Sequence, residues 1–287
     1  MSEKNAKIVI AGIIILLVSL MSYITGETWI LLLWNLIFAL YPNEIKNVFL
    51  MLPNMRYVRV SYSYLFRIEI NGHYLLVRDE QGRNDYHPVG GVYKYDPDGI
   101  DIAERFDGVY DRLFNTTTDT KDDLRLIISK RKLQQFQSWF SSQQNRENIS
   151  NLSREFREEL ISRNLIDERL FKYIKYKYIG SYIQKSFNTK LRMQQIRHFD
   201  VVNLKLSKAQ KTYLEKLLRK TSEHYVFVSK EDIKSRTLDF NGHHYTIADH
   251  TNLILVGNKN LVEELNKDTL YTAICLDSVQ ITSNSRC

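Results

Sequence analysis

Two uncharged apolar runs open the chain, Ile8 to Ile24 and Thr28 to Tyr41, with Gly26-Glu27 between them and Asn35 inside the second. A helix rises about 1.5 Å per residue, so the first run with its flanks can cross a hydrocarbon core of about 30 Å, while the second falls somewhat short. The pattern predicts an N-terminal α-helical transmembrane hairpin in which Trp29, Trp34 and Asn35 belong to the membrane segment. A cleaved signal peptide is the competing reading of the first run, since Lys4 and Lys7 precede it, but no small-x-small cleavage site follows and a second apolar run does. Lysines before the hairpin, Lys46, Arg56 and Arg59 after it, and Glu27 at its tip place both termini in the cytoplasm by the positive-inside rule. Between Pro42 and Pro53, Ile45, Val48, Phe49 and Leu52 repeat at i, i+3, i+4 and i+7. That stripe suits a short helix lying at the headgroups or packed on the domain that follows.

Beyond residue 55 the pattern changes to strand signals. Val58 to Ile70 is rich in β-branched and aromatic residues, Asn71-Gly72 is a two-residue hairpin signal, and Tyr74 to Val77 returns. Residues 99 to 122 are polar without a sustained period and read as a loop excursion. Leu124 to Ile128 then reads as a buried strand and Lys130 to Phe140 as a helix burying Leu133, Phe136 and Phe140. No internal repeat interrupts this stretch. The organisation is therefore residues 1–55 as membrane hairpin and interfacial helix, and residues 56–287 as one cytoplasmic domain of ordinary size.

Charge sharpens the picture. The chain carries 40 Lys and Arg against 33 Asp and Glu, a net +7. Residues 1–55 are balanced, Lys4, Lys7 and Lys46 against Glu3, Glu27 and Glu44, so the excess lies in the domain and implies an anionic partner, a nucleotide or a membrane surface. With only Cys275 and Cys287, a disulfide framework is excluded. From Arg169 to Arg197 there are eight basic residues and no acidic ones, interleaved with Tyr173, Tyr176, Tyr178 and Tyr182. Lys175, Tyr176 and Lys177 are candidate ligand contacts there, because cations and aromatic faces together hold phosphates and bases. The same residues also suit the outer face of a strand pair near anionic lipid. No phosphate-binding loop, dinucleotide fingerprint, zinc spacing or nucleophile elbow occurs, and His243, His244 and His250 match no metal pattern.

Arg154-Glu155-Phe156-Arg157-Glu158-Glu159-Leu160 carries the chemistry. On a helix Glu155, Glu158 and Glu159 share one face beside an apolar stripe of Leu152, Phe156 and Leu160. Clustered carboxylates suit Mg²⁺, which keeps coordination sites for pyrophosphate or phosphodiester oxygens. A solvated charged face is the other reading.

The order of these residues resembles the core of the Nudix box, G-x5-E-x7-R-E-Φ-x-E-E-x-G-Φ. His87-Pro88-Val89-Gly90-Gly91 resembles the lead-in to that box, Tyr225 to Ile233 resembles a late Nudix segment, and Thr246 to Ile254 its closing helix, so the resemblance covers roughly residues 60–265. It implies an α/β Nudix-like domain, a mixed sheet sandwiched by helices, with Glu155, Glu158 and Glu159 as Mg²⁺-binding carboxylates, Arg154 bracing them, and Gly90 and Gly91 in the ligand-binding loop. The sequence departs from the pattern in three ways. Between Gly91 and Arg154 lie 62 residues, the leading Glu is not placed because Glu147 is one residue too close to Arg154, and Ile161 stands where the box has its exit glycine.

A split box behind two transmembrane helices resembles the SMODS-associated Nudix domain of bacterial CBASS anti-phage systems. That resemblance implies a multi-pass inner-membrane effector. A partner nucleotidyltransferase supplies a cyclic oligonucleotide, which the domain senses, and ligand-induced homo-oligomers of the hairpins then act on inner-membrane lipids to cause abortive infection. The degenerate box favours a receptor without catalytic residues. The R-E-F-R-E-E core keeps open a membrane-anchored, Mg²⁺-dependent hydrolase of a nucleoside diphosphate-linked substrate.

Overall fold

The computed structural model describes residues 54–79, 84–96, 101–111, 122–220, 222–240, 242–255 and 270–275, together with Leu17, Leu20, Met21, Tyr23 and Ile24 nearer the N-terminus. The chain divides into two compact units, Met1–Met55 with Phe187–Gln194, and Arg56–Ser186 with Gln195–Cys287. In the first, those five N-terminal positions are helical with exposed side chains.

The transmembrane hairpin is corrected by the structure. Among the described residues no helix is long and apolar enough to cross a membrane, and those from 54 onward form an α/β domain built on two sheets. Apart from the five positions above, the two apolar runs, with Trp29, Trp34, Asn35 and the segment from Pro42 to Pro53, lie outside the described residues. The inner-membrane, multi-pass placement with both termini cytoplasmic, and the lipid contacts drawn from it, therefore have no spanning helix to rest on. Hydropathy measures a transfer preference, which a helix buried in protein satisfies as well as one buried in lipid.

Strand β1, Asn54–Arg67, is followed by β2, Glu69–Ile70, and β3, His73–Arg78. Asn71 and Gly72 join β2 to β3 with φ of 49° and 78°, the doubly positive pair of a tight hairpin turn that Asn-Gly tolerates. Next come β4, Asp85–Pro88; β5, Gly90–Val92; the short helix α1, Ile102–Arg105; and β6, Val109–Tyr110. The Asp101 side chain accepts from Ala103 N at 2.8 Å and so caps α1. Residues 101–110 thus hold ordered elements where the polar composition reads as loop. The expected strand and helix follow as β7, Arg125–Ser129, and α2, Leu133–Ser141, entered through a 3₁₀ turn, Lys130–Lys132. Helix α2 buries Phe136, Trp139 and Phe140 and leaves Leu133 half-buried.

Helix α3, Arg154–Phe156, runs on into a π-helical turn, Arg157–Ile161. Then come α4, Glu168–Phe171; β8, Tyr173–Asn188; β9, Met193–Lys205; α5, Lys208–Leu218; β10, Tyr225–Val228; and α6, Lys230–Ser235. Strands β11, Thr237–Phe240, and β12, His243–Ile247, precede a 3₁₀ segment, Asp249–Leu255, and β13 is Leu270–Ile274.

One sheet runs β13-β8-β9-β1-β7-β6, with β5 also on β1. The other runs β10-β3-β4-β12-β11, with β2 on β3. The β4–β12 pair is parallel. The single mixed sheet between helices is thereby corrected to two sheets. One face of the first sheet, with Val60, Tyr62, Tyr64, Phe66 and Val202, packs with Phe136, Phe140 and Phe156 of α2 and α3 in one core. From its other face Leu65, Tyr182, Phe199 and Val201 pack against Tyr74, Leu76, Tyr86, Val226 and Tyr245 of the second sheet. Side chains alternate along a strand, so β1 serves both cores at once.

Candidate functional site

The described residues that split the box leave and return along one edge of β1. Strand β5 pairs with β1 at Ser63, Tyr64 and Leu65, and β7 pairs with the same strand from Tyr57 to Ser61. The chain leaves past Val92 and comes back beside itself. Tyr95 bridges Arg146, Asp96 N donates to Asn145 O at 2.8 Å, and Glu147 N donates to Lys94 O at 2.7 Å. The two halves of the box therefore meet although the sequence separates them.

At that junction the carboxylates gather around Arg154. Its Nη1 donates to Glu155 Oε1 at 2.6 Å and to Glu158 Oε2 at 3.3 Å. Its Nη2 donates to Glu147 Oε2 at 3.1 Å and to Val92 O at 2.8 Å. Tyr64 OH donates to the other Glu147 oxygen at 3.0 Å. Glu159 is held apart from Arg154: its Oε2 accepts from Gly90 N at 2.9 Å, and its Oε1 lies 3.8 Å from His87 Nδ1.

Gly90 has a φ of +150°, and a Cβ there would lie 2.1 Å from the Tyr64 carbonyl oxygen. A Cβ on Gly91 would lie 1.9 Å from Glu155 Oε1. Gly90 thus lets β5 lie close against the backbone of β1, and Gly91 lets Glu155 approach the β5 backbone.

Ile161 keeps a right-handed backbone and is buried at 5% exposure. The exit glycine is not needed because the helix widens into a π turn, with Ser162 N donating to Arg157 O at 2.8 Å and Leu165 N to Leu160 O at 2.9 Å. The left-handed residue falls at Asn164, φ 56°, a residue type that tolerates it.

Burial pushes the Glu147 carboxyl above its ordinary value, against the pull of Arg154. Glu158 is raised by burial and by Glu155. Glu159 is raised well above the usual range, first by burial and then by the Glu155 charge, despite the Gly90 N–H. Mg²⁺ requires ionised oxygens free to face it in near-octahedral array. Here Arg154 holds the centre of Glu147, Glu155 and Glu158, and among the described residues no group of three or more His, Cys, Asp or Glu side chains is placed to hold a metal ion. The pairs of Arg154 with Glu155 and Glu158 are the bracing that the resemblance implies, and Glu155, Glu158 and Glu159 are the side chains that would hold Mg²⁺.

The second candidate cluster lies elsewhere, on β8. Lys175 is exposed and Lys177 partly so, while Tyr176 is 0% exposed. Its hydroxyl donates to Ile149 O at 3.0 Å and accepts from Leu152 N at 2.8 Å. Strand alternation puts Tyr176 in the core, which corrects its expected role as a base-stacking surface.

Glu147 is the site residue that spacing excluded. Its signal was a carboxylate one position out of register, and only the returning backbone beside Lys94 shows why the register slips.

Two sheets, a glycine-rich lead-in and an R-E-Φ-x-E-E helix packed on it define a Nudix-type α/β domain. The family model for the SMODS-associated NUDIX domain matches residues 57–255, and the chain belongs to that family. No curated protein and no solved structure matches the chain.

Proposed function

We propose that the domain is a receptor in a CBASS-type defence system, binding a cyclic oligonucleotide made by a partner SMODS nucleotidyltransferase. Membership of the SMODS-associated family supports the pairing with such an enzyme and with a nucleotide-derived ligand. The altered box carries the receptor reading over the hydrolase: 62 residues split it, no Glu fills its leading position, and Ile161 stands where the exit glycine belongs. Lys175 and Lys177 add positive charge on the outer side of β8 toward an anionic ligand. Such a ligand also lowers the repulsion between +7 chains, so binding favours self-association.

The test compares binding with turnover. Full-length protein should bind a cyclic oligonucleotide and show no Mg²⁺-dependent hydrolysis of ADP-ribose or related nucleoside diphosphate compounds. Turnover at about 1 to 10³ per second, lost in Glu158→Gln/Glu159→Gln, would establish the hydrolase instead.

A further inference from the structure

On the same face of the first sheet as α3 lies a cavity of about 370 Å³, a size that suits a small-molecule site. Tyr62 and Phe140 form one wall, with ring centroids 4.3 Å apart. The His198 imidazole stacks on Tyr62 at 4.6 Å and an interplanar angle of 7°. Ser141 and Ile183 also line the cavity and are exposed.

Its polar centre is Asp200, 3% exposed. Tyr93 OH donates to Asp200 Oδ2 at 2.7 Å, His198 Nε2 lies 2.9 Å from Oδ1, and Ser181 Oγ donates to the same Oδ1. Burial opposes the charge on Asp200, but His198 and the donated hydrogen bonds outweigh it, so the carboxyl is held below its ordinary value. With its partners supplied, Asp200 acts as an anchor: it fixes the His198 ring and the Ser181 hydroxyl, which also pairs with Tyr178 OH at 2.6 Å, and leaves His198 Nδ1 for a ligand.

Arg146 completes the lining. Its guanidinium lies 3.7 Å over the Phe140 ring, its Nε donates to Phe140 O at 2.8 Å and its Nη1 to Glu147 O at 2.6 Å. These bonds leave the Nη2 edge of the fork.

Aromatic and aliphatic side chains beside a few fixed donors and acceptors suit a flat heterocycle with a polar edge. The Asp200 carboxylate disfavours a phosphate in the same space. We propose that this cavity receives the base of a nucleotide, packed beside Phe140 and the exposed Ile183 and bonded at its edge by Gln137, His198 Nδ1 and Arg146. The assignment rests on the receptor reading and gives it a location. It also links ligand to helix: Tyr62 lines the cavity while Tyr64, two residues on, bonds Glu147, and Arg146 lines it while its neighbour Glu147 bonds Arg154.

The experiment is equilibrium dialysis of full-length protein against cyclic di-AMP, cyclic di-GMP, cyclic GMP-AMP and cyclic tri-AMP, with ribose 5-phosphate as the base-free control. Two variants are compared with wild type, Ile183→Trp, which fills the opening from an exposed position, and Gln137→Leu, which removes an edge contact. Melting curves verify that both fold. At least one cyclic compound should bind wild type far more tightly than ribose 5-phosphate, and each folded variant should lose about tenfold or more in affinity, a loss of about 1.4 kcal/mol. Equal binding by wild type and both variants would overturn the cavity assignment and leave the receptor reading standing. Binding of none of the four by wild type would overturn both.

Discussion

Arg154 Nη2 and Glu147 Oε2 lie 3.1 Å apart, and the same Nη2 donates to Val92 O at 2.8 Å, which joins the two ends of the excursion that splits the box. Arg154 is the common partner of three carboxylates, with side-chain exposure of 25% against 11% for Glu147 and 16% for Glu155. Partly buried acids held by one guanidinium make its removal costly, since their charges are then left without a partner.

Arg154→Met should therefore destabilise the protein toward the lower end of about 3 to 5 kcal/mol, the partial exposure reducing the cost. Adding Glu147→Gln should recover part of the loss, a coupling of about 0.5 to 3 kcal/mol. Urea midpoints of the single and double variants measure it, and strictly additive effects would show that the pair is not coupled.

Stability should fall as pH rises above the ordinary glutamate value of 4.5. Glu159 holds its proton more tightly folded than unfolded, so its contribution is complete below the unfolded value and is lost as pH rises through the raised folded value. Glu147 and Glu158 are raised in the same direction. Denaturation of wild type and Glu159→Gln across this range should give a flatter dependence for the variant. Identical slopes would remove Glu159 as the cause.

The two glycines of β5 should separate under substitution. Gly90→Ala forces a Cβ against the Tyr64 carbonyl at a φ of +150° and should cost at least about 1 to 3 kcal/mol. Gly91→Ala meets a side chain, Glu155, so the protein should fold with Glu155 displaced from Arg154. Thermal melting ranks the two, and a larger loss for Gly91→Ala would contradict this account.

Restoring the box residue at position 161 should harm the protein. Ile161→Gly empties a buried site and loosens the helix, a loss of about 2 to 5 kcal/mol or more. Asn164→Val, at φ 56°, should cost about 1 to 2 kcal/mol. A stabilised Ile161→Gly variant would mean that the π turn is not the native exit.

Tyr176→Phe deletes the hydroxyl that joins Leu152 N to Ile149 O and should cost about 1 to 3 kcal/mol. Lys175→Glu, on the exposed side of the strand, should change stability by no more than about 0.5 kcal/mol. Chemical denaturation of both tests whether Tyr176 is a structural residue.

Local chemistry made several elements readable from sequence. Asn71-Gly72 specifies its turn because few other residue pairs accept two positive φ values. Leu124 to Ile128 and Lys130 to Phe140 declare a strand and a helix by composition and period. The order Arg154-Glu155-Phe156-Arg157-Glu158-Glu159 marks the Nudix helix because spacing on a helix decides which side chains share a face. The N-terminal apolar runs carried less information than they promised, since apolar content by itself does not name an element's surroundings.

Relationships across chain distance required the tertiary structure. Only the antiparallel return past Lys94 brings Arg154 to the Val92 carbonyl, and only the π turn moves the left-handed residue from position 161 to Asn164. The Asp200 cavity has no linear motif, because Tyr62, Arg146, Ser181 and His198 come from segments that meet only when the sheet forms. Sequence thus determined the local elements and the helix that names the family. Long-range backbone pairing decided what meets that helix, the Val92 carbonyl on Arg154 and the Gly90 N–H on Glu159.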